Sequence, residues 1–403
     1  PSGEFLIRSR RSMKIAYVLI WRITVNNGVV WKVKQQVDCW RRLGHEVTVF
    51  CASDEEDVSD SVLEVHHIKR PDSRNVVMRF FQNWLAYREL GKAVDDYSPD
   101  LVYTRLAFYH PCLKALMRRH CSCFEVNSFS SAELRMKRKN SLYFRFLDLY
   151  NHLTKDRFLK GGNGIVTVTD ELADLECAGI KAELLTLPNS VDLKAFRQLP
   201  ALSPADPDRP PRLVFIGGPM PVENFYHGVD KIFDLARATA GRLEFDLIGQ
   251  DTYPFGQVPS NVTVHGYLDR DRYEDVFARA DVGVGTLALH RKDMEEACPL
   301  KVREYLAYGL PVILGYEDTA LKKLDEPWIL TLPNTEENLV EAAEEVVRFA
   351  RAMQGQRVPR PAVEHLIGYE SLERDRLAFF QGLVDRGAVG VQELSQDQVR
   401  DAV

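Results

Sequence analysis

Two carboxylates, Glu296 and Glu304, bracket the run Cys298-Pro299-Leu300-Lys301, and this set could bind a ligand with many hydroxyl groups and an anionic end. Carboxylates accept hydrogen bonds from hydroxyls. The first N–H groups of an α-helix have no partner within it and carry the positive end of its dipole, so a helix start can seat a phosphate. Pro299 has the fixed φ of a first helical position, Gly309 suits the exit and Pro311 stops continuation, so the spacing predicts a helix over about 299–308. Glu296 then falls in the loop before that helix and Glu304 in its second turn, both directed toward one cleft. The Lys301 ammonium adds positive charge beside the N–H groups. Taken alone, two Glu at this spacing read more readily as solvated charges on a surface helix.

The run as a whole resembles the donor-site segment of retaining GT-B glycosyltransferases of the GT4 kind. Those enzymes carry a Glu-x7-Glu pair and an xPLKxxEYxAxGxPV helix and strand, matched here from Glu296 to Val312. The resemblance implies that Glu296 meets the donor sugar hydroxyls, that Cys298, Pro299, Leu300 and Lys301 hold the diphosphate, and that Glu304 takes the ribose hydroxyls. It also implies a GT-B fold, an α/β architecture of two Rossmann-like, doubly wound parallel sheets facing a cleft.

Other motifs fit the same plan. After the first expected strand, Asn27-Gly28 opens a helix where the family usually has Gly-Gly, near the donor diphosphate and the acceptor; Arg22 precedes it. The segments ending in Arg105 and in Glu125-Val126-Asn127 resemble "PDxxYxR" and "EVN" stretches that line the acceptor side. Asn127 stands where many relatives carry a His that contacts the donor sugar. Thr169 reads as a helix N-cap, and Asn189-Ser190 replaces an Asn-Gly turn; both read as architectural. Gly217 ends the first strand of the second half, and Gly266-Tyr267 matches a turn whose backbone meets the nucleobase. The main departure lies between them. Gly218 or Pro219 stands where relatives have an Arg, and His227 where they have a Lys, so the leaving diphosphate needs another cation, with Lys301 the first candidate and Arg22 the second. No G-x-G-x-x-G follows either opening strand, which removes the main support for a dinucleotide-dependent oxidoreductase.

The elements that must position these residues alternate strand and helix in both halves. Apolar runs at 14–20 and 46–50 flank a helix and give a β-α-β unit, and further strands are expected at 62–67, 100–104, 121–126, 164–168 and 182–187. A Pro-rich stretch at 199–211 reads as a linker. Alternation resumes from Arg212, with one helix expected over 335–354. The pattern gives domains at 13–198 and 212–364 and a helix at about 365–385; the resemblance implies that the first is the acceptor side, the second the donor side, and that the helix crosses back to the first domain, with 1–12 and 386–403 expected to be flexible.

A chain of 403 residues suffices for two such cores. Residues 1–196 hold 29 Lys and Arg against 24 Asp and Glu, a balance of +5, and the remainder carries −11. The acidic total disfavours nucleic acid as partner. Seven scattered cysteines without C-x-x-C spacing suggest neither a disulfide framework nor a zinc site. No apolar stretch is long enough to span a membrane, and a cytoplasmic location is expected. The basic, aromatic stretch 135–160 reads either as a solvated helix face or as peripheral contact with an anionic inner membrane face.

The expectation is a retaining, metal-independent glycosyltransferase without a cofactor. It takes a nucleoside-diphosphate sugar as co-substrate and a saccharide, lipid-linked or small-molecule acceptor, in polysaccharide, glycolipid or natural-product glycan synthesis. Glu296, Lys301 and Asn127 form the catalytic set. A sugar-nucleotide-binding scaffold of the same fold, no longer catalytic, remains open because of the missing cations, as does, more weakly, a UDP-sugar epimerase.

Overall fold

A computed structural model describes residues 11–24, 28–56, 58, 63–70, 76–138, 141–202, 208–217 and 226–400. Asn27, Gly218 and Pro219 lie outside the described residues.

The first half runs β1 (Lys14–Leu19), α1 (Gly28–Arg42), β2 (Glu46–Ser53), β3 (Val65–Lys69), α2 (Val76–Tyr97), β4 (Leu101–Arg105) and α3 (Pro111–Arg119). It continues with β5 (Ser122–Val126), α4 (Ser130–Arg138), α5 (Leu142–Leu159), β6 (Gly164–Thr167), α6 (Asp170–Cys177) and β7 (Glu183–Thr186). The seven strands form one parallel sheet in the order β3-β2-β1-β4-β5-β6-β7. The central strands, buried on both faces, explain the near-continuous apolar runs in the sequence.

The second half runs β8 (Arg212–Ile216), α7 (Val229–Ala238), β9 (Glu244–Ile248), β10 (Val262–Val264), α8 (Arg270–Arg279), β11 (Val282–Val284) and β12 (Glu296–Ala297). Then come α9 (Leu300–Tyr308), β13 (Val312–Leu314), β14 (Glu317–Asp318), β15 (Ile329–Thr331), α10 (Asn338–Glu341) and α11 (Ala343–Met353). Its parallel sheet has the order β10-β9-β8-β11-β13-β15, and β12 pairs with β14 apart from it. The strand order reverses between β1 and β4 and again between β8 and β11. At such switch points the carboxyl ends of open α/β sheets leave a crevice for ligand.

Three expectations need correction. Pro299 caps the helix rather than starting it: its ψ of 140° is extended, and α9 begins at Leu300. The single helix expected over 335–354 is two, broken at Ala342, whose φ of −94° and ψ of 14° leave the helical region, and the first begins only at Asn338. The crossover also begins earlier and ends later than expected. It consists of α12 (Arg360–Ile367) and α13 (Tyr369–Arg400), joined at Gly368. Tyr369, Leu377, Phe380 and Leu383 of α13 enter the core of the first sheet beside Trp40. Polar bonds fix this docking: Trp40 Nε1 donates to Glu373 at 2.7 Å, and Arg376 reaches Glu373 at 2.9 Å and the Tyr103 hydroxyl at 2.8 Å.

Candidate active site

Helix α9 carries the residues expected on the donor side. Gly309 ends it with φ 86°, a conformation that costs glycine little, and Tyr305 anchors it, donating its hydroxyl proton to the Val284 carbonyl and accepting from Ile216 N–H at 2.8 Å. The helix start is thereby held against β8 and β11 at the switch point. There Lys301 Nζ lies 3.8 Å from the Phe215 ring centroid and 3.5 Å from His227 Nδ1. Burial drives His227 well below its usual range, with Lys301 and Lys292 adding to the shift, so the imidazole is neutral and can accept from the ammonium. His227 therefore supplies no positive charge.

Burial lowers Lys301 to about 7, against the pull of Glu304. It raises Glu304 to about 7, opposed by Tyr273, Arg270 and Lys301. Glu304 accepts from the Tyr273 hydroxyl at 3.2 Å. The pair is thus poised near neutrality. Gly217 follows β8, its N–H bonded to the Ile248 carbonyl, and Gly266 turns the chain after β10 with φ 68°. A side chain at 266 would collide with Asp251. Tyr267 beside it is exposed.

Glu296 is placed differently from the sequence reading. It lies in β12, not a loop, and its buried carboxylate is taken by the Lys322 ammonium and by Glu171 N–H at 3.2 Å. Glu171 reciprocates, accepting from Glu295 N–H and from Glu296 N–H at 2.8 Å. The start of α6 in the first domain and the segment before α9 in the second are therefore bonded to each other. From sequence Glu171 belongs to a segment read as architectural, and nothing but tertiary contact distinguishes Lys322 from other surface charges.

The first domain meets this edge at Gly28, the first residue of α1. A Cβ there would lie 3.4 Å from Leu300 Cδ1, so two helix N-termini, those of α1 and α9, converge across the cleft. One turn further along α1, Lys32 is buried with Nζ 2.7 Å from Glu125 Oε1, 3.0 Å from Asn127 Oδ1 and 2.7 Å from Asn189 Oδ1. Glu125, expected to line the acceptor side, instead turns inward. Burial would raise its pKa, but Lys32, Arg376 and Arg105 outweigh that and hold it well below the usual carboxylate range. Arg105 stands 3.7 Å from it. Arg22 is engaged by Asp54, with Nε to Oδ1 at 2.7 Å, and this bond lowers Asp54 to about 2.

Asn189, read from sequence as a turn residue, is a junction. Its Nδ2 donates to the Cys298 carbonyl at 2.5 Å, its N–H to Cys298 Sγ at 3.0 Å, and its carbonyl accepts from Arg303 Nε at 3.1 Å. Arg303 is fully buried against Asp318 and also donates to Cys298 Sγ at 2.8 Å. Burial lifts the Cys298 thiol to about 11, so it is a neutral packing and hydrogen-bonding group. Lys32 was legible only in part: with Gln35 and Gln36 it places polar groups on the buried face of α1.

Among the described residues no cluster of His, Cys, Asp and Glu could hold a metal, and no helix is long and apolar enough to cross a membrane. One face of α5 nevertheless exposes Leu142, Phe146, Leu149 and Leu153, the last at 68 %. A cavity of about 590 Å³ lies between α4, α5 and α6, lined in part by Arg135, Arg145, His152 and Lys155.

Residues 26–195 match the sequence model described as Glycosyltransferase Family 4. Among curated proteins no sequence matches the chain. The fold resembles that of sucrose-phosphate synthase from Thermosynechococcus elongatus, with a TM-score of 0.66 and 14 % identity over 93 % of this chain and 100 % of that one. It also resembles WaaG, a glycosyltransferase involved in lipopolysaccharide biosynthesis (TM-score 0.58, 16 % identity, 91 % and 100 % covered). A third is the catalytic domain of starch synthase IV from Arabidopsis thaliana, bound to ADP and acarbose (TM-score 0.56, 12 % identity, 93 % and 100 % covered).

Proposed function

We propose that this glycosyltransferase of the GT-B fold moves a sugar from a nucleoside-diphosphate sugar to an acceptor hydroxyl with retention of configuration, and needs no metal ion to do so. The observation that carries the reading is the meeting of the α1 and α9 N-termini at Gly28 and Leu300, with the Lys301 ammonium beside them. Both helix dipoles present their positive ends there, in a half-buried setting where preorganised charge is effective. As the anomeric C–O bond to the diphosphate breaks, that site takes the leaving charge. The acceptor oxygen then bonds to the anomeric carbon from the same face, and its proton passes to the departing phosphate oxygen. Glu304 takes the ribose hydroxyls and Asn127 a sugar hydroxyl. Glu296 reaches the sugar only by exchanging its bond to Lys322.

A thermal-shift screen across UDP, GDP, ADP and dTDP and their common sugars tests this, because selective binding stabilises the folded protein. Stabilisation by one sugar nucleotide, with release of its diphosphate in the presence of acceptor, is expected. Binding without hydrolysis or transfer would favour the scaffold reading, which the neutral His227 motivates.

For acceptors we infer a lipid-linked or anionic substrate met at a membrane surface in the cell interior. The apolar stripe of α5 is flanked by Arg135, Lys137, Arg157 and Lys160, the pattern of an interfacial helix on anionic lipid. Phe146→Asp with Leu149→Asp should abolish sedimentation with phosphatidylglycerol vesicles; undiminished binding would remove the membrane from the proposal.

A further inference from the structure

We infer that Lys32 is a positioning residue: its buried ammonium sets the amide of Asn127 so that Nδ2 faces the donor sugar. The inference rests on the reading of Asn127 as a donor-sugar contact.

Lysine has three N–H donors and no acceptor. The three oxygens around Lys32 Nζ, from Glu125, Asn127 and Asn189, use all of them. An amide beside an ammonium can present only its oxygen, so the orientation of both asparagines follows from chemistry alone. Asn189 confirms the logic at its other end, where the outward Nδ2 meets the Cys298 carbonyl, a group that can only accept. Asn127 differs in one respect. Its Nδ2 also points away from Lys32, but it is buried with no protein partner. A buried amide donor left unpaired is costly, and its place at the end of β5 puts it on the carboxyl edge of the first sheet, one residue past the strand. A hydroxyl oxygen of a bound sugar would satisfy it.

A purely structural Lys32 would need only Glu125. Here the ammonium also holds two amide oxygens, and that of Asn127 belongs to a side chain at the carboxyl edge of the first sheet. Burial lowers the Lys32 pKa from its ordinary value, and the Glu125 carboxylate 2.7 Å away opposes that shift.

The test compares binding of UDP with UDP-glucose, GDP with GDP-mannose and ADP with ADP-glucose by isothermal titration calorimetry, using the pair that binds. Asn127→Ala and Lys32→Met should each weaken the sugar nucleotide about fivefold while leaving the free nucleotide unchanged, the loss of roughly one hydrogen bond. Lys32→Met should add nothing in the Asn127→Ala background, and Lys32→Gln, whose amide can still donate, should recover part of the loss. Equal weakening of nucleotide and sugar nucleotide by Lys32→Met, or additivity with Asn127→Ala, would overturn the positioning role. A silent Asn127→Ala would instead sink the donor contact on which it rests, and binding of none of the pairs would sink the donor site. Should Lys32→Met fail to fold, Lys32→Gln in the two backgrounds carries the same comparison, its effect vanishing once Asn127 is Ala.

Discussion

Lys301 and Glu304 stand three residues apart on α9, and burial pulls both to about 7 from opposite sides. In the proposed function the Lys301 ammonium meets the phosphate and the Glu304 carboxylate the ribose. A bound diphosphate raises the Lys301 pKa, so affinity is lost as pH climbs above about 7 and the free-state ammonium loses its proton. Ribose hydroxyls lower that of Glu304, so affinity is lost as pH falls below about 7 and the carboxylate gains one. Sugar-nucleotide affinity should therefore peak near neutrality. Titration calorimetry from pH 5 to 9 checks it: Lys301→Met should flatten the alkaline limb and Glu304→Gln the acid limb, and a flat wild-type profile would contradict the pairing. The same residues show what the sequence conveyed at this scale. The donor-side run was visible as a pattern, whereas the inward turn of Glu125 and the capture of Glu296 by Lys322 were not, because a carboxylate's partner lies far along the chain.

At the scale of elements, α9 is seated by close approach as much as by polar bonds. Gly283 in β11 leaves room for the Tyr305 ring, which a Cβ would meet at 2.5 Å. Gly283→Ala must push that ring, and with it the hydroxyl bonded to Val284 and Ile216, away from the sheet. We expect a loss of about 1–3 kcal/mol in urea unfolding, together with weaker nucleotide binding because the helix start shifts. Unchanged binding at reduced stability would show that α9 keeps its seat without Tyr305. Sequence spacing located this helix to within one residue because proline and glycine punctuate it. It gave no sign of the β12–β14 pair, whose strands are too short to leave a period.

On the scale of the molecule, α13 is fixed to the first sheet by buried polar bonds as well as by apolar packing. Arg376, at the far end of the chain, is fully buried beside Glu373 and 3.5 Å from Glu125 at the end of β5. Arg376→Met would strand Glu373 and should cost about 3–5 kcal/mol. Chemical denaturation followed by tryptophan fluorescence reads the loss, since Trp40 lies against Glu373; a cost under about 1 kcal/mol would mean that α13 is held by its apolar face. The expectation that the chain doubles back here came from resemblance, and α13 does pack on the first sheet.

The sequence by itself determined the alternation of strand and helix, the punctuation of α9 and the chemistry available at its start, because these are local properties carried by apolar runs, prolines and glycines. Only the tertiary structure decided which charges are free to act. Lys32 joins Glu125, Asn127 and Asn189 across up to 157 positions of sequence, and Cys298 is locked to Asn189 across 109. Burial gives such bonds their strength and fixes their direction, and burial belongs to the fold rather than to any segment of it.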